Sequence, residues 1–259
     1  MKYIAIIPAR YASTRFPGKP LAMLGGKTVI RRVYEQVSKQ MDATWVATDD
    51  SRIYDHVVSW GGNAVMTSPD HKSGTDRIEE AMEKIEASGG TYDVVVNVQG
   101  DEPFIQPEQI EAVCKCFDDV QTQIATLGIR FASAEACGAE TGQDEVWRRI
   151  SNANSPKIVV DNKGFAMYFS RSVIPFVRGK ECTEWGAAYP FMKHIGMYAY
   201  RRNVLREITS LPQSSLEQAE SLEQLRWLQN GYKIKVGETF TETIGIDTPE
   251  DLAKAQALL

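Results

Sequence analysis

Residues 93–103 read DVVVNVQGDEP. Val94, Val95, Val96 and Val98 form a near-continuous β-branched run with no polar face, the mark of a strand buried on both sides. Strands buried on both sides belong to parallel sheets covered by helices. Gly100 closes the run. Asp101 and Glu102 then follow at the carboxyl end of the strand, where open α/β sheets bind their ligands.

The same alternation extends outward. YIAIIPA (3–9), TWVATD (44–49) and AVMT (64–67) read as strands. Between them, TVIRRVYEQVSKQ (28–40) places Ile30, Val33, Tyr34 and Val37 on one helical face, with Thr28 as N-cap. SRIYDHVVSW (51–60) repeats that spacing with Ile53, Val57 and Trp60. SGTDRIEEAMEKIEA (73–87) opens with a capping-box pattern at Ser73 and Asp76 and buries Ile78, Ala81, Met82 and Ile85. A helix over 107–119 precedes the strand IATLGIRF (124–131). Alternating strands and helices across residues 1–131 predict an α/β fold, a mainly parallel sheet with helices on both faces.

Beyond residue 131 the pattern turns mixed. Residues 132–156 carry no clear period and read as loop or short helix. KIVVD (157–161), FAMYFS (165–170), IGMYAYR (195–201) and YKIKVGET (232–239) read as strands, with a polar loop over 178–190. SLEQAESLEQLRWLQNG (215–231) reads as one helix ended by Gly231. TPEDLAKAQALL (248–259) reads as another, with Thr248 as N-cap and Pro249 at its first position. No linker divides the chain, so a single domain over 1–259 is expected.

Composition narrows the function. With 43% hydrophobic and 24% charged residues the chain is ordinary for a globular protein, which excludes wholesale disorder. No run of about 18 apolar residues exists, so no membrane helix is expected. The start, MKYIAIIPAR, has too short an apolar core for a signal peptide, and a cytoplasmic location is expected. A net charge of -5 speaks against nucleic-acid binding. Four Cys are no disulfide framework. Cys114 and Cys116 sit two apart on a predicted helix, Cys114 on its apolar face and Cys116 off it, so they point apart. With three scattered His and no HxxxH, a zinc enzyme is not expected.

The acidic average hides an asymmetry. Residues 1–34 contain Lys2, Arg10, Arg15, Lys19, Lys27, Arg31 and Arg32 and no acid. Arg10, Arg15 and Lys19 fall in PARYASTRFPGKPL (8–21), a loop stiffened by Pro8, Pro17 and Pro20 directly after the first strand. Cations held at defined positions there suit a polyphosphate. It is not a P-loop, because GGKT (25–28) would need Gly where Leu21 stands. No G-x-G spacing occurs anywhere, which counts against a dinucleotide fold. With phosphates near, Asp101 is a natural Mg²⁺ ligand, and Asp247 in IGIDTPEDL (244–252) could be a second carboxylate or only a capping-region acid.

These segments, together with MTSPDHKSGTDRI, YFSRSVIPF, KHIGMYAYR and SLEQLRWL, follow one another in an order that resembles the 3-deoxy-manno-octulosonate cytidylyltransferase (CMP-Kdo synthetase) family. The resemblance covers nearly the whole chain. It implies a three-layer α/β/α nucleotide-diphospho-sugar transferase fold, with a nucleotide-binding half over 1–131 and a sugar-acid-binding and dimerisation half over 132–259. The implied reaction joins CTP and the sugar acid Kdo into CMP-Kdo and pyrophosphate, with Mg²⁺, in a cytoplasmic homodimer serving lipopolysaccharide biosynthesis, without nucleic acid or membrane partners.

By the same resemblance, Arg10 and Lys19 grip the triphosphate, with Arg15 in the same loop. Ser73, Gly74, Thr75 and Arg77 lie near the nucleotide. Gln99 touches nucleotide and sugar acid, and Asp101 and Asp247 hold the metal. Arg171, His194, Tyr198, Glu223 and Gln224 bind the sugar acid, with Arg171 set to take its carboxylate. Arg10, Lys19, Asp101 and Asp247 are the implied catalytic set. ISNANSPKIVVD and ECTEWGAAYPF depart from the expected pattern. Two alternatives stay open: a cytidylyltransferase for another sugar acid (8-amino-Kdo or sialic acid), and a non-catalytic nucleotide-binding protein on the same fold.

Overall fold

The computed structural model describes residues 1–131 and 143–259. In chain order the elements are β1 (Tyr3–Ala9), β2 (Met23–Leu24), β3 (Lys27–Thr28), α1 (Val29–Val37), β4 (Thr44–Thr48), α2 (Ser51–Ser59), β5 (Ala64–Met66), α3 (Gly74–Ala87), β6 (Val94–Asn97), α4 (Pro107–Lys115), β7 (Ile124–Arg130), α5 (Gln143–Ser151), β8 (Lys157–Val160), β9 (Ala166–Ser170), α6 (Trp185–Ala188), β10 (Met192–Arg201), α7 (Arg202–Thr209), α8 (Ser215–Glu220), α9 (Gln224–Gln229), β11 (Ile234–Glu238) and α10 (Pro249–Gln256). Among the described residues no helix is long and apolar enough to cross a membrane.

The chain makes two compact units, each discontinuous in sequence. Residues 1–114, 197–210 and 241–259 form the first, and 115–196 and 211–240 the second. In the first unit β6, β1, β4 and β5 lie side by side, all parallel, with Ile4 beside Val95 and Ile7 beside Val46. Ile4, Ile6, Ile7 and Val94 to Val96 are fully buried, as their continuous apolar runs require. Helices α1, α2 and α3 pack on these strands. The α/β class is as expected.

On its other side β6 pairs with the end of β10, antiparallel, with Tyr198 opposite Asn97, so the sheet is mixed as expected. Strand β7 pairs in parallel with β11 in the second unit, Ile124 beside Ile234. Apolar runs announce that a strand is buried, not which strand lies next to it or in which direction.

Helix ends explain several boundaries. The α3 capping box is present: Ser73 Oγ accepts from the Asp76 amide at 3.1 Å and Asp76 Oδ2 from the Ser73 amide at 3.2 Å. Thr248 and Asp251 make the same box on α10, behind Pro249. Thr28 precedes α1 without capping it, because its hydroxyl pairs with His56 Nε2 at 2.8 Å. The helix expected over 107–119 tightens after Lys115 into a 3-10 turn, Cys116–Asp118. The tighter winding turns Cys116 inward and leaves Cys114 half-buried, the reverse of the sequence expectation.

In the second unit β8 pairs antiparallel with β9 and with the start of β10. The stretch read as loop or short helix holds a short helix, and the one read as a polar loop also holds one. Within 132–156, residues 132–142 lie outside the described residues and α5 follows them. Within 178–190, α6 brings Trp185 into an apolar cluster with Val146, Ile150 and Phe191. The helix expected over 215–231 is broken into α8 and α9 at Ser221, whose φ of 50° is left-handed. Arg171 holds this break, its Nε donating to Glu220 O at 2.6 Å and its Nη2 to Ser221 O at 3.3 Å.

Candidate active site

A cavity of about 480 Å³ opens in the first unit at the carboxyl ends of β1 and β6. Its wall includes Arg10, Arg15, Lys19, Gly74, Arg77, Gln99 and Asp101. This is where a parallel sheet gathers its ligand loops. Gly100 lets the β6 loop lie against β1, since a Cβ there would stand 2.7 Å from Pro8 O. A side chain would force the two loops apart.

The cationic loop is shaped locally. Gly18 has φ +72° and donates its amide to Tyr11 O at 2.9 Å, and Lys19–Leu21 then winds a 3-10 turn. Lys19 Nζ donates to Asp101 Oδ2 at 2.7 Å and to Asp247 Oδ1 at 3.2 Å. Arg15 forks onto Asp247 at 3.0 and 3.1 Å. The Asp247 segment is anchored by Ile246, which is fully buried with Leu24, Val29 and Ala255, and whose amide donates to Asp101 O at 2.8 Å. Two acids far apart in sequence thus meet at one ammonium, beside the loop the sequence singled out.

Of the α3 segment, Gly74 lines the cavity. The Ser73 hydroxyl serves the cap, and Thr75 is buried. Arg77 is no solvated helix charge: its side chain is fully buried. Its Nη2 donates to Asp49 Oδ2 at 3.1 Å and its Nη1 to Thr67 Oγ1 at 2.5 Å. Burial lowers the Arg77 pKa, nearby Arg10 adds to that, and Asp49 opposes it. The sequence reading missed Asp49. Its local signal was an acid ending a buried strand on the ligand side of the sheet.

The expected acceptor residues are divided between the units. Gln99 and Tyr198 are in the first, and Arg171, His194, Glu223 and Gln224 in the second. Tyr198 stacks on Tyr200 with ring centroids 6.1 Å apart. The Arg171 guanidinium is tied to the carbonyls of Glu220, Ser221 and Ala153, which uses part of its donor fork. His194 Nε2 pairs with Thr126 Oγ1 at 3.0 Å, and burial pushes its pKa down to about 3, so the ring is neutral. Glu223 stands just before α9. Gln224 is buried, and its Nε2 meets no acceptor among the described residues.

For a metal, the described residues hold no cluster of three or more His, Cys, Asp or Glu. Asp101 and Asp247 converge on Lys19 at the cavity, both partly exposed. Two hard oxygen ligands beside a polyphosphate-sized cavity fit Mg²⁺, which takes one or two carboxylates and completes its shell with phosphates and water.

The chain is similar to known proteins along its length. A cytidylyltransferase family model matches residues 4–234. The 3-deoxy-manno-octulosonate cytidylyltransferase of Parabacteroides distasonis is 61% identical across the whole chain and 98% of its own length. That of Porphyromonas gingivalis is 54% identical across 99% of this chain and 96% of its own. A solved CMP:2-keto-3-deoxy-manno-octonic acid synthetase in complex with CTP superposes with a TM-score of 0.86 at 40% identity, covering all of this chain and 98% of that one. A 4-diphosphocytidyl-2C-methyl-D-erythritol synthase from Anaerococcus prevotii, 14% identical with a TM-score of 0.57, shares the fold alone. Full-length similarity at this level places the chain in the 3-deoxy-manno-octulosonate cytidylyltransferase family.

Proposed function

We propose that this enzyme transfers the cytidylyl group of CTP to the anomeric hydroxyl of 3-deoxy-manno-octulosonate, giving CMP-Kdo and pyrophosphate for lipopolysaccharide biosynthesis. The hydroxyl oxygen bonds to the α-phosphorus, the bond from that phosphorus to pyrophosphate breaks, and the hydroxyl proton is lost. The observation that carries this reading is Lys19 held between Asp101 and Asp247 on a triphosphate-sized cavity, in a chain similar end to end to named cytidylyltransferases.

Charge builds on phosphate oxygens in such a transfer, so the protein's task is positioning and charge stabilisation. Arg10, Arg15 and Lys19 supply cations from a rigid loop. Gly74 offers a backbone amide at the start of α3, where helix termini favour anions. Gln99 orients the substrates. We assign Mg²⁺ to Asp101 and Asp247, where it would neutralise triphosphate charge as a Lewis acid. On the acceptor side we assign Arg171 to the carboxylate through its remaining donors, and Tyr198, His194, Glu223 and Gln224 to the hydroxyls. The buried Gln224 amide supports this, since such a donor ordinarily has a partner. As the family resemblance implies, we further propose a cytoplasmic homodimer.

The test is pyrophosphate release with CTP, Mg²⁺ and one sugar acid at a time. Turnover with Kdo well above that with sialic acid supports the assignment. Turnover with the 8-amino analogue alone, or with neither, overturns it.

A further inference from the structure

The Tyr11 ring touches two features that the reaction above does not use. One is Gly18. A Cβ built there would stand 3.1 Å from Tyr11 Cζ and 3.2 Å from Cε2 and the hydroxyl, so the hydroxyl edge of the ring packs against the glycine. On its face is Arg52, whose guanidinium carbon is 3.3 Å from the ring centroid. The guanidinium is itself fixed, with Nε on Asp50 Oδ1 at 2.9 Å and Nη2 on Oδ2 at 2.6 Å. Asp50 caps α2 by accepting the Arg52 amide at 3.0 Å, so the fork is tied to the start of a helix.

We propose that Tyr11 and Arg52 are positioning residues for Lys19, with Arg52 anchored on Asp50 holding the Tyr11 ring against Gly18 and so fixing the turn that aims the Lys19 ammonium. The chain of contact is continuous. Gly18 donates to Tyr11 O, Lys19 follows it directly, and Lys19 Nζ reaches Asp101 and Asp247. The left-handed φ of Gly18 sets the direction in which the chain enters the 3-10 turn. A ring edge packed against that residue resists its rotation, and a cation over the ring holds the ring by attraction to its electron-rich face. The catalytic consequence rests on the functional reading given above, but the positioning itself does not.

The experiment pairs an exchange readout with kinetics. Amide hydrogen exchange of Gly18 and Leu21, both hydrogen-bonded within the loop, reports its rigidity without any substrate. Tyr11→Leu is expected to speed that exchange and to lower kcat by about 10- to 100-fold, the scale of a misplacement near 1 Å, with KM for the sugar acid little changed. Arg52→Gln, at an exposed residue whose loss leaves the core intact, is expected to show the same pair of changes at about two- to fivefold. Tyr11→Phe keeps the ring face and restores both readouts. Exchange and kcat both unchanged, or one moving without the other, overturns the proposal. Absence of pyrophosphate release by the unaltered enzyme would strike the functional reading instead, and the exchange data would still decide whether the loop is held this way.

Discussion

Replacing Lys19 with alanine separates a catalytic cation from a structural one. The Lys19 side chain is 14% exposed, and its ammonium sits 2.7 Å from Asp101 and 3.2 Å from Asp247. Point charges 4 Å apart near a protein surface interact by about 4 kcal/mol. Asp247 is 46% exposed, so solvent screens much of that, and net values for such pairs are about 0–1 kcal/mol. The two contacts together therefore stabilise the fold by about 0–2 kcal/mol, and the melting temperature should fall by no more than about 8 °C. Transition-state charge in a confined site is another matter. Losing one charge-assisted contact there costs about 2–4 kcal/mol, which is roughly 30- to 900-fold in kcat/KM for CTP. The assay is steady-state pyrophosphate release with CTP varied, beside a melting curve. A variant with unaltered kcat/KM, or one whose activity loss is accounted for by the unfolded fraction, would refute the assignment of Lys19 to the triphosphate.

Asp101→Ala and Asp247→Ala should each lower kcat by about 100-fold or more while the KM for the sugar acid changes little; near-normal turnover in both would remove the metal assignment. Asp49→Asn removes the counterion of a fully buried guanidinium and should destabilise by about 3 kcal/mol, read as a lower urea midpoint, and an unshifted midpoint would show that Arg77 does not depend on it. His194 has a folded pKa lowered from the usual 6.5 to about 3, so the unfolded chain binds the proton more readily. No penalty arises above pH 6.5, and one grows as the pH falls from there toward 3. His194→Gln should flatten the pH dependence of the urea midpoint between pH 7 and 5 by up to about 1.4 kcal/mol per pH unit, and equal slopes in the two proteins would refute this.

What the sequence revealed was local. Ser73 and Asp76, or Thr248 and Pro249, act within one turn, and their caps form as spaced. Continuous apolar runs found β1, β4 and β6 because burial on two faces leaves no room for polar residues. The cationic loop stood out by the absence of acids before Glu35. What escaped reading is set by distant partners. Residues 215–231 are rich in helix formers, and the break at Ser221 comes from Arg171, on another segment. The position of β10 beside β6 needs a chain reversal that no periodicity announces. The burial of Arg77 escaped reading because the acid that sustains it inside, Asp49, is 28 residues away. The pairing of Asp101 with Asp247 was available as a resemblance, but spacing could not show it.

The union of Lys19 with Asp247 spans 228 residues. On a ribosome, where about 5–20 residues are added each second, roughly 10 to 50 seconds separate the appearance of the two partners. Long before that interval ends the loop, β1, β4, β5, β6 and Asp101 have all been made, yet the second carboxylate does not exist. The first compact unit draws on residues 241–259, so its fold and its charge cluster are completed together, after the whole of the second unit has been translated. A chain broken off before that point carries the cationic loop and Asp101 without the second carboxylate, so its charge cluster is left one acid short.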